Sequence, residues 1–253
     1  MNSLIILQTE LVDQDKAVLS CARAEYAWAT HGLRVGRTVR VAVLGGMKGV
    51  GIVLGACADR IELQLSLNTE SFLLKPIDLI VGLSRPQTVK KAIQAAVMLG
   101  VRSLRFVLSE RGQKSYRDSH ALTAEHLQSE TIKALEQIWD GSVPEVSVHH
   151  SVATVLAKGV VADPASSGVC ALLAHPTAPA MQTLPTLTGA CSSVVVAIGP
   201  EAGWSDSEVQ DLTSRGFLSV GLGARVLRVE IAMVFMLGQL EVLVPMETGA
   251  GNR

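Results

Sequence analysis

From Val194 to Leu240 the chain twice repeats one unit: an apolar run, a glycine-bearing loop, then a helical pattern. Val194 to Ile198 runs into Gly199-Pro200-Glu201-Ala202-Gly203-Trp204, and Phe217 to Leu222 runs into Gly223-Ala224-Arg225-Val226-Leu227-Arg228. Short apolar runs without polar alternation suit strands buried on both faces. Open α/β sheets bind ligands at the carboxyl ends of their strands, and both loops sit there. The pair of loops is therefore the candidate site.

The preceding residues extend the same sheet. Ile77 to Leu83 is a compact apolar strand. Pro86 to Leu99 has helical spacing, with Val89, Ala92, Ile93, Ala96 and Val97 in one stripe. Pro86 suits a first helical turn and Gly100 a helix stop. Leu104 to Leu108 and Gly168 to Ala174 read as further strands, and Ala124 to Trp139 as a helix. Strands alternating with helices give a mostly parallel sheet covered on both faces. The first seventy residues read differently, as all-β. Strand patterns at Leu4 to Gln8, Thr38 to Leu44, Gly49 to Ala56 and Arg60 to Leu67 suggest a small barrel. The expected domains are 1–70 and 76–247, joined by a polar linker.

A hydrophobic content of 48% in 253 residues supports a packed core and excludes a disordered chain. The net charge of −1 hides a basic segment: Gly82 to His120 carries eight Lys or Arg against Glu110 and Asp118. A solvated surface and an RNA-facing patch both fit it. Cys21, Cys57, Cys170 and Cys191 lack metal-ligand spacing and are read as buried free thiols of a reducing compartment. No metal is expected. The N-terminus lacks a signal-peptide pattern, and the apolar helix Ile231 to Val244 is too short to span a bilayer. The expectation is a cytoplasmic protein without a membrane partner.

The loops do not match a phosphate cradle. Neither Gly-x-x-x-x-Gly-Lys-Ser/Thr nor Gly-x-Gly-x-x-Gly is present. Pro200 removes an N–H, and Glu201 places an acid where an anion would be repelled. Ser205-Asp206-Ser207-Glu208 is a capping box that satisfies the next helix's first N–H groups. A neutral or cationic ligand held by backbone groups fits better. On these grounds alone, turn-forming and ligand-binding roles for Gly199 and Gly203 both stay open. So do surface and site roles for Arg225, Arg228 and Glu230.

Ile198-Gly199-Pro200-Glu201-Ala202-Gly203 and Leu222-Gly223-Ala224-Arg225-Val226-Leu227-Arg228-Val229-Glu230 together resemble the paired C-terminal motifs of the RsmE family. Ser109-Glu110-Arg111 and Val143-Pro144-Glu145 are similar to further family segments, so the resemblance is nearly full length. Ala202 stands where the family has a second glycine, and Met98 where it has a glutamate.

The resemblance implies a SPOUT-type α/β fold: a parallel sheet with a C-terminal trefoil knot, preceded by a PUA-like, RNA-binding β-barrel. It implies a homodimer that uses S-adenosyl-L-methionine to methylate N3 of a uridine in small-subunit (16S) ribosomal RNA. By the same resemblance the cofactor would lie against Leu173, His175, Pro176, Ile198, Gly199, Pro200, Glu201, Gly203, Trp204, Leu222, Gly223, Val226, Leu227 and Arg228. Arg228, Arg225 and Glu230 would be the catalytic residues. Arg228 would stabilise a developing uracil oxygen anion, and Glu230 would orient Arg228 or take the N3 proton. The competing readings are a methyltransferase of another rRNA or tRNA nucleotide, and an inactive RNA-binding protein on the same scaffold.

Overall fold

The computed structural model describes residues 3–116, 119–157, 161–166, 168–179 and 191–243. The chain divides into two compact units. The first comprises residues 1–73, 132–143 and 248–253, and the second residues 74–131 and 144–247.

In the first unit five strands form one sheet in the order β1-β3-β4-β5-β2: β1 (Leu4–Ile6), β2 (Lys16–Ser20), β3 (Thr38–Val43), β4 (Lys48–Cys57) and β5 (Arg60–Thr69). β1 runs parallel to β3 and the other pairings are antiparallel. β1 and β2 are its two edges, so the expected small barrel is an open half-barrel. One face packs Val39, Val41, Val43, Val53, Ile61, Leu63 and Leu65 into a core. The all-β expectation for this unit is corrected by α1 (Cys21–His31). Its buried residues are only Ala24 and Ala27, so the strongest helix former supplies the helix without a visible apolar stripe. Gly32, with φ +58°, ends it, its N–H bonding the Trp28 carbonyl.

In the second unit six strands, all parallel, lie in the order β11-β9-β10-β6-β7-β8. These are β6 (Lys75–Gly82), β7 (Val101–Val107), β8 (Glu145–His149), β9 (Val169–Ala174), β10 (Ser193–Ile198) and β11 (Leu218–Val220). β6 and β10 lie in the middle, which is why Val194 to Ile198 is wholly apolar and Ile77 to Val81 is apolar but for the buried Asp78. Ile80, Val107, Ala171, Leu173, Val195 and Ala197 share a core cluster with Val152, Val155 and Leu156 from around α4 (Val152–Val155), and with Leu212 of α5 (Asp206–Ser214). α2 (Pro86–Met98) and α6 (Val229–Leu243) pack on each other and against β7 and β10. α3 (Ala124–Ile138) precedes β8.

The cysteine reading is also corrected. Cys170 and Cys191 form a disulfide, and Cys21 and Cys57 are exposed. The β9–β10 register places Cys170 opposite Val194, which brings the Cα atoms of Cys170 and Cys191 to 5.8 Å, within disulfide reach.

Candidate active site

A cleft of about 530 Å³ opens at the carboxyl ends of β9, β10 and β11. Its size suits one drug-sized ligand. Three loops wall it: Ala174 to Thr177, Ile198 to Trp204, and Leu222 to Val229. Arg111 and Ala232 complete the lining.

Backbone geometry brings these loops together. The Gly203 N–H donates to the Pro200 carbonyl at 2.8 Å, and Gly203 takes φ +74°, which only glycine adopts without strain. A methyl group on Gly82, at the end of β6, would lie 2.2 Å from the Pro200 ring. Glycine there lets the 199–204 loop sit directly on the strand end. Ala202 needs no glycine: among the described non-glycine residues only Cys21 and Trp139 have positive φ. The extra methyl is therefore carried without backbone strain.

The capping box forms as the sequence suggests, and it reaches further. Glu208 is buried, and its carboxylate accepts from the Ser205 N–H at 2.8 Å, from Ser109 Oγ at 2.8 Å and from the Glu110 N–H at 3.1 Å. One side chain thus caps α5 and fixes the Ser109-Glu110-Arg111 segment, which carries Arg111 to the cleft. Arg111 pairs there with the fully exposed Asp206 at 3.3 Å.

Of the residues the resemblance assigns, His175, Pro176, Ile198, Gly199, Pro200, Glu201, Gly203, Trp204, Leu222, Gly223, Arg225, Val226, Leu227 and Arg228 all line the cleft. Two stand apart. Leu173 is fully buried in the sheet core, as is its neighbour Leu172, because this part of β9 is covered on both faces. Glu230, in the first turn of α6, pairs with Lys91 of α2 at 3.3 Å and is not part of the lining. Arg111 and Thr177 line the cleft without having been singled out. Arg111 belongs to the Ser109-Glu110-Arg111 segment. Thr177, whose Oγ1 is 3.0 Å from His175 Nδ1, carries no sequence signal.

The charges differ sharply in availability. In the basic segment, Arg85, Lys90, Lys91, Arg102, Arg105 and Arg111 pair with Glu201, Glu130, Glu230, Asp78, Glu145 and Asp206 in turn. Lys114's side chain and Arg117 fall outside the described residues. A neutralised surface, not a bare basic patch, is what these pairs make. Arg225 and Arg228 are exposed at the cleft and have no carboxylate within ion-pairing distance among the described residues. Burial alone would raise the Glu230 carboxyl, but its own backbone N–H, Lys91 and Arg228 hold it below the ordinary range.

The cleft offers a fitting donor set for an uncharged or cationic ligand. The Trp204 indole N–H is buried and has no hydrogen-bond partner among the described residues. A buried donor of this kind calls for an acceptor. Glu201, exposed at the lip, brings a carboxylate that Arg85 faces at 3.5 Å, so the lip carries no net charge from this pair.

An α/β unit with a ligand cleft at a cluster of parallel strand ends, joined to a β-rich unit, is the class defined so far. The model of the RNA methyltransferase domain family matches residues 72–241, and the chain belongs to that family. Ribosomal RNA small subunit methyltransferase E of Treponema pallidum (strain Nichols) is 27% identical over 241 residues, covering 91% of this chain and 87% of that protein. The RsmE resemblance read from the sequence is thereby borne out. Two solved structures share the fold. One is a ribosomal RNA small subunit methyltransferase E from Neisseria gonorrhoeae bound to S-adenosyl methionine, with TM-score 0.76, 22% identity, and 95% of this chain and 98% of that chain covered. The other is a putative methyltransferase from Legionella pneumophila in complex with the same cofactor, with TM-score 0.78, 20% identity, and coverage of 96% and 98%. The expected α/β architecture with a β-rich leading unit is borne out by them.

Proposed function

We propose that this protein transfers a methyl group from S-adenosyl-L-methionine to N3 of a uridine in small-subunit (16S) ribosomal RNA. The observation that carries the reading is the cleft: three strand-end loops converge on it, and two arginines without a carboxylate partner among the described residues stand at it. The relative named for small-subunit ribosomal RNA and the cofactor in the two solved structures support the substrate and the donor.

Residues of the Ile198–Trp204 and Leu222–Arg228 loops, with His175 and Pro176, would hold the donor. When bound, the donor supplies a methyl group activated by its sulfonium. Methyl transfer is an in-line displacement, so the loops' main contribution is position. Uracil N3 gives its proton to solvent water, the negative charge spreads to the ring oxygens, and the N3–CH3 bond forms as the S–CH3 bond breaks and S-adenosyl-L-homocysteine leaves. Arg228 meets that charge with a guanidinium fork, and Arg225 takes a phosphate or the second oxygen. Glu230 serves as the anion that aligns Arg228. A carboxyl held below its ordinary range is a weak proton acceptor at neutral pH.

The C-terminal part would be threaded as a trefoil knot. β10 is inserted between β6 and β9 while β11 lies beyond β9, and the Gly221 N–H bonds the Pro179 carbonyl at 2.7 Å. The connection 180–190 is outside the described residues. Residues 1–70 would contribute the RNA-binding unit, and a ribosomal substrate places the protein in the cytoplasm. No described helix is long and apolar enough to cross a membrane.

A homodimer fits α6. One side of this helix is buried through Val229, Met233, Met236 and Leu240, while Ile231, Val234, Phe235 and Val242 are exposed on the other. A helix apolar all round needs a second partner. A Phe235→Glu protein should sediment at half the wild-type mass. If both sediment alike, α6 is not the dimer contact.

Calorimetric titration of the whole protein with S-adenosyl-L-methionine should give one site per chain. Mass mapping of 16S rRNA should show one methyluridine that disappears when the gene is deleted. A titration without heat or displacement at millimolar donor would end the reading.

A further inference from the structure

The first unit carries an exposed sheet face whose chemistry the cleft does not use. Along β4, Lys48, Val50, Ile52 and Leu54 alternate onto the side away from the core, and the β3–β4 register sets Arg40 opposite Val50. Val50, Ile52 and Leu54 are 39%, 45% and 48% exposed. At the Lys48 end two rings gather. The Lys48 ammonium lies 3.8 Å from the centre of the Phe72 ring and 5.6 Å from that of Trp139, and the Arg40 guanidinium lies 4.9 Å from the Trp139 centre.

This cluster is built rigidly. Trp139 has φ +51°, an uncommon conformation for a bulky residue, and its indole N–H donates to the Val41 carbonyl at 3.0 Å. Gly141 lies so close to β3 that a methyl group on it would meet the Val43 carbonyl at 2.2 Å. The Gly45 N–H bonds the Gly141 carbonyl, Ser71 Oγ bonds the Gly46 carbonyl, and the Phe72 N–H bonds Asp140. Phe72, held in this mesh, is nevertheless 58% exposed.

Charge selects the occupant. Residues 26–58 contain Arg34, Arg37, Arg40 and Lys48 and no Asp or Glu. Asp140 lies 3.8 Å from Lys48, but Arg34, Arg37 and Arg40 are exposed and have no carboxylate partner among the described residues. An exposed ring on a unit that also exposes three arginines without carboxylate partners among the described residues matches a strand of bases and phosphates, since bases stack on aromatic faces while cations track the backbone.

We propose that Phe72, backed by Lys48 and flanked by Trp139 and Arg40, is a stacking site for an unpaired base of single-stranded RNA, with Arg34, Arg37 and Arg40 following its phosphates. The site rests on the RNA substrate proposed above and adds where the first unit grips it. The probe is a labelled 12-nucleotide oligouridylate titrated with full-length protein by fluorescence anisotropy. Phe72→Ala should weaken binding about tenfold, and Phe72→Tyr should restore it. Arg40→Gln should flatten the slope of log affinity against log salt by about 0.7. All three variants should bind S-adenosyl-L-methionine as the wild type does, which shows them folded. Wild-type RNA affinity in both Phe72→Ala and Arg40→Gln overturns the site. So does a wild type that ignores the oligomer, or a Phe72→Ala protein whose association state changes while its RNA affinity does not. RNA binding that responds to Phe72 in a protein that takes no S-adenosyl-L-methionine sinks the methyltransferase reading and supports this site.

Discussion

Arg228→Ala should lower the single-turnover rate of methyl transfer by about a hundredfold or more, with cofactor affinity changed far less. Removing one pre-organised donor to a developing oxyanion costs about 10²–10³ in rate. The role proposed for Arg228 is supported by the pairing of other cations near the cleft, which leaves Arg228 and Arg225 available. Arg85 and Arg111 are engaged with Glu201 and Asp206, and Lys91 with Glu230. Arg228 and Arg225 alone among these lack a carboxylate partner within the described residues. Arg228 lies one residue before α6, whose first turn carries Glu230, so the carboxylate is near enough to feel its charge. Arg228→Lys keeps the charge and loses the planar fork, and should fall between wild type and alanine. The check is a single-turnover assay on small-subunit RNA with calorimetry on the same samples. Wild-type turnover by Arg228→Ala would remove this residue from the chemistry. A loss of cofactor binding as large as the loss of rate would reassign it to holding the donor.

Why the cleft loops were legible while their charge state was not is a matter of range. The strands β6 and β10 are central in a parallel sheet, so both are dominated by apolar residues, with the buried Asp78 as the one charged residue within Ile77 to Val81. The Ser205–Glu208 box works over three residues, and local chemistry of that kind is written in local sequence. The edge strand β8, Glu145–His149, pairs only with β7 and is half-buried, so it carries too little apolar pattern to be noticed. α1 escaped because its inner face is alanine. Glu230 meets Lys91 across 139 positions of sequence, and Glu208 reaches Ser109 across 99. No pattern in either segment announces such pairs. The Cys170–Cys191 bond also depends on the β9–β10 register rather than on any spacing. The sheet and its strand-end loops follow from short-range pattern, whereas which cations are free follows from tertiary pairing.

Asp78→Ala should destabilise the protein by about 2–4 kcal/mol, since it leaves Ser103 Oγ and the Ala162 N–H without their acceptor, while Arg102, 44% exposed, regains water. Asp78 sits on the central strand β6, 2% exposed. Its carboxylate accepts from Arg102 Nε at 3.0 Å and Nη2 at 2.6 Å, from Ser103 Oγ at 2.6 Å and from the Ala162 N–H at 2.9 Å. Arg102 also donates to Ser193 Oγ, which in turn bonds the Pro76 carbonyl, so β6, β7 and β10 meet in one network. Burial alone would raise the carboxyl, yet the four donated bonds and the Arg102 charge bring it below its ordinary value. The folded pKa is thus depressed relative to the unfolded chain. The stabilisation is complete above the unfolded value of about 3.9 and drains away as pH falls through the folded one. Denaturant unfolding at pH 7 and pH 3 checks both parts. Wild type should lose stability between the two, and Asp78→Asn, which cannot titrate, should lose less. The network lies toward the amino ends of the strands, away from the cleft at their carboxyl ends, so donor affinity per folded Asp78→Ala molecule should match wild type. A variant with unchanged stability at pH 7 would mean that desolvating this carboxylate cancels everything its donors return.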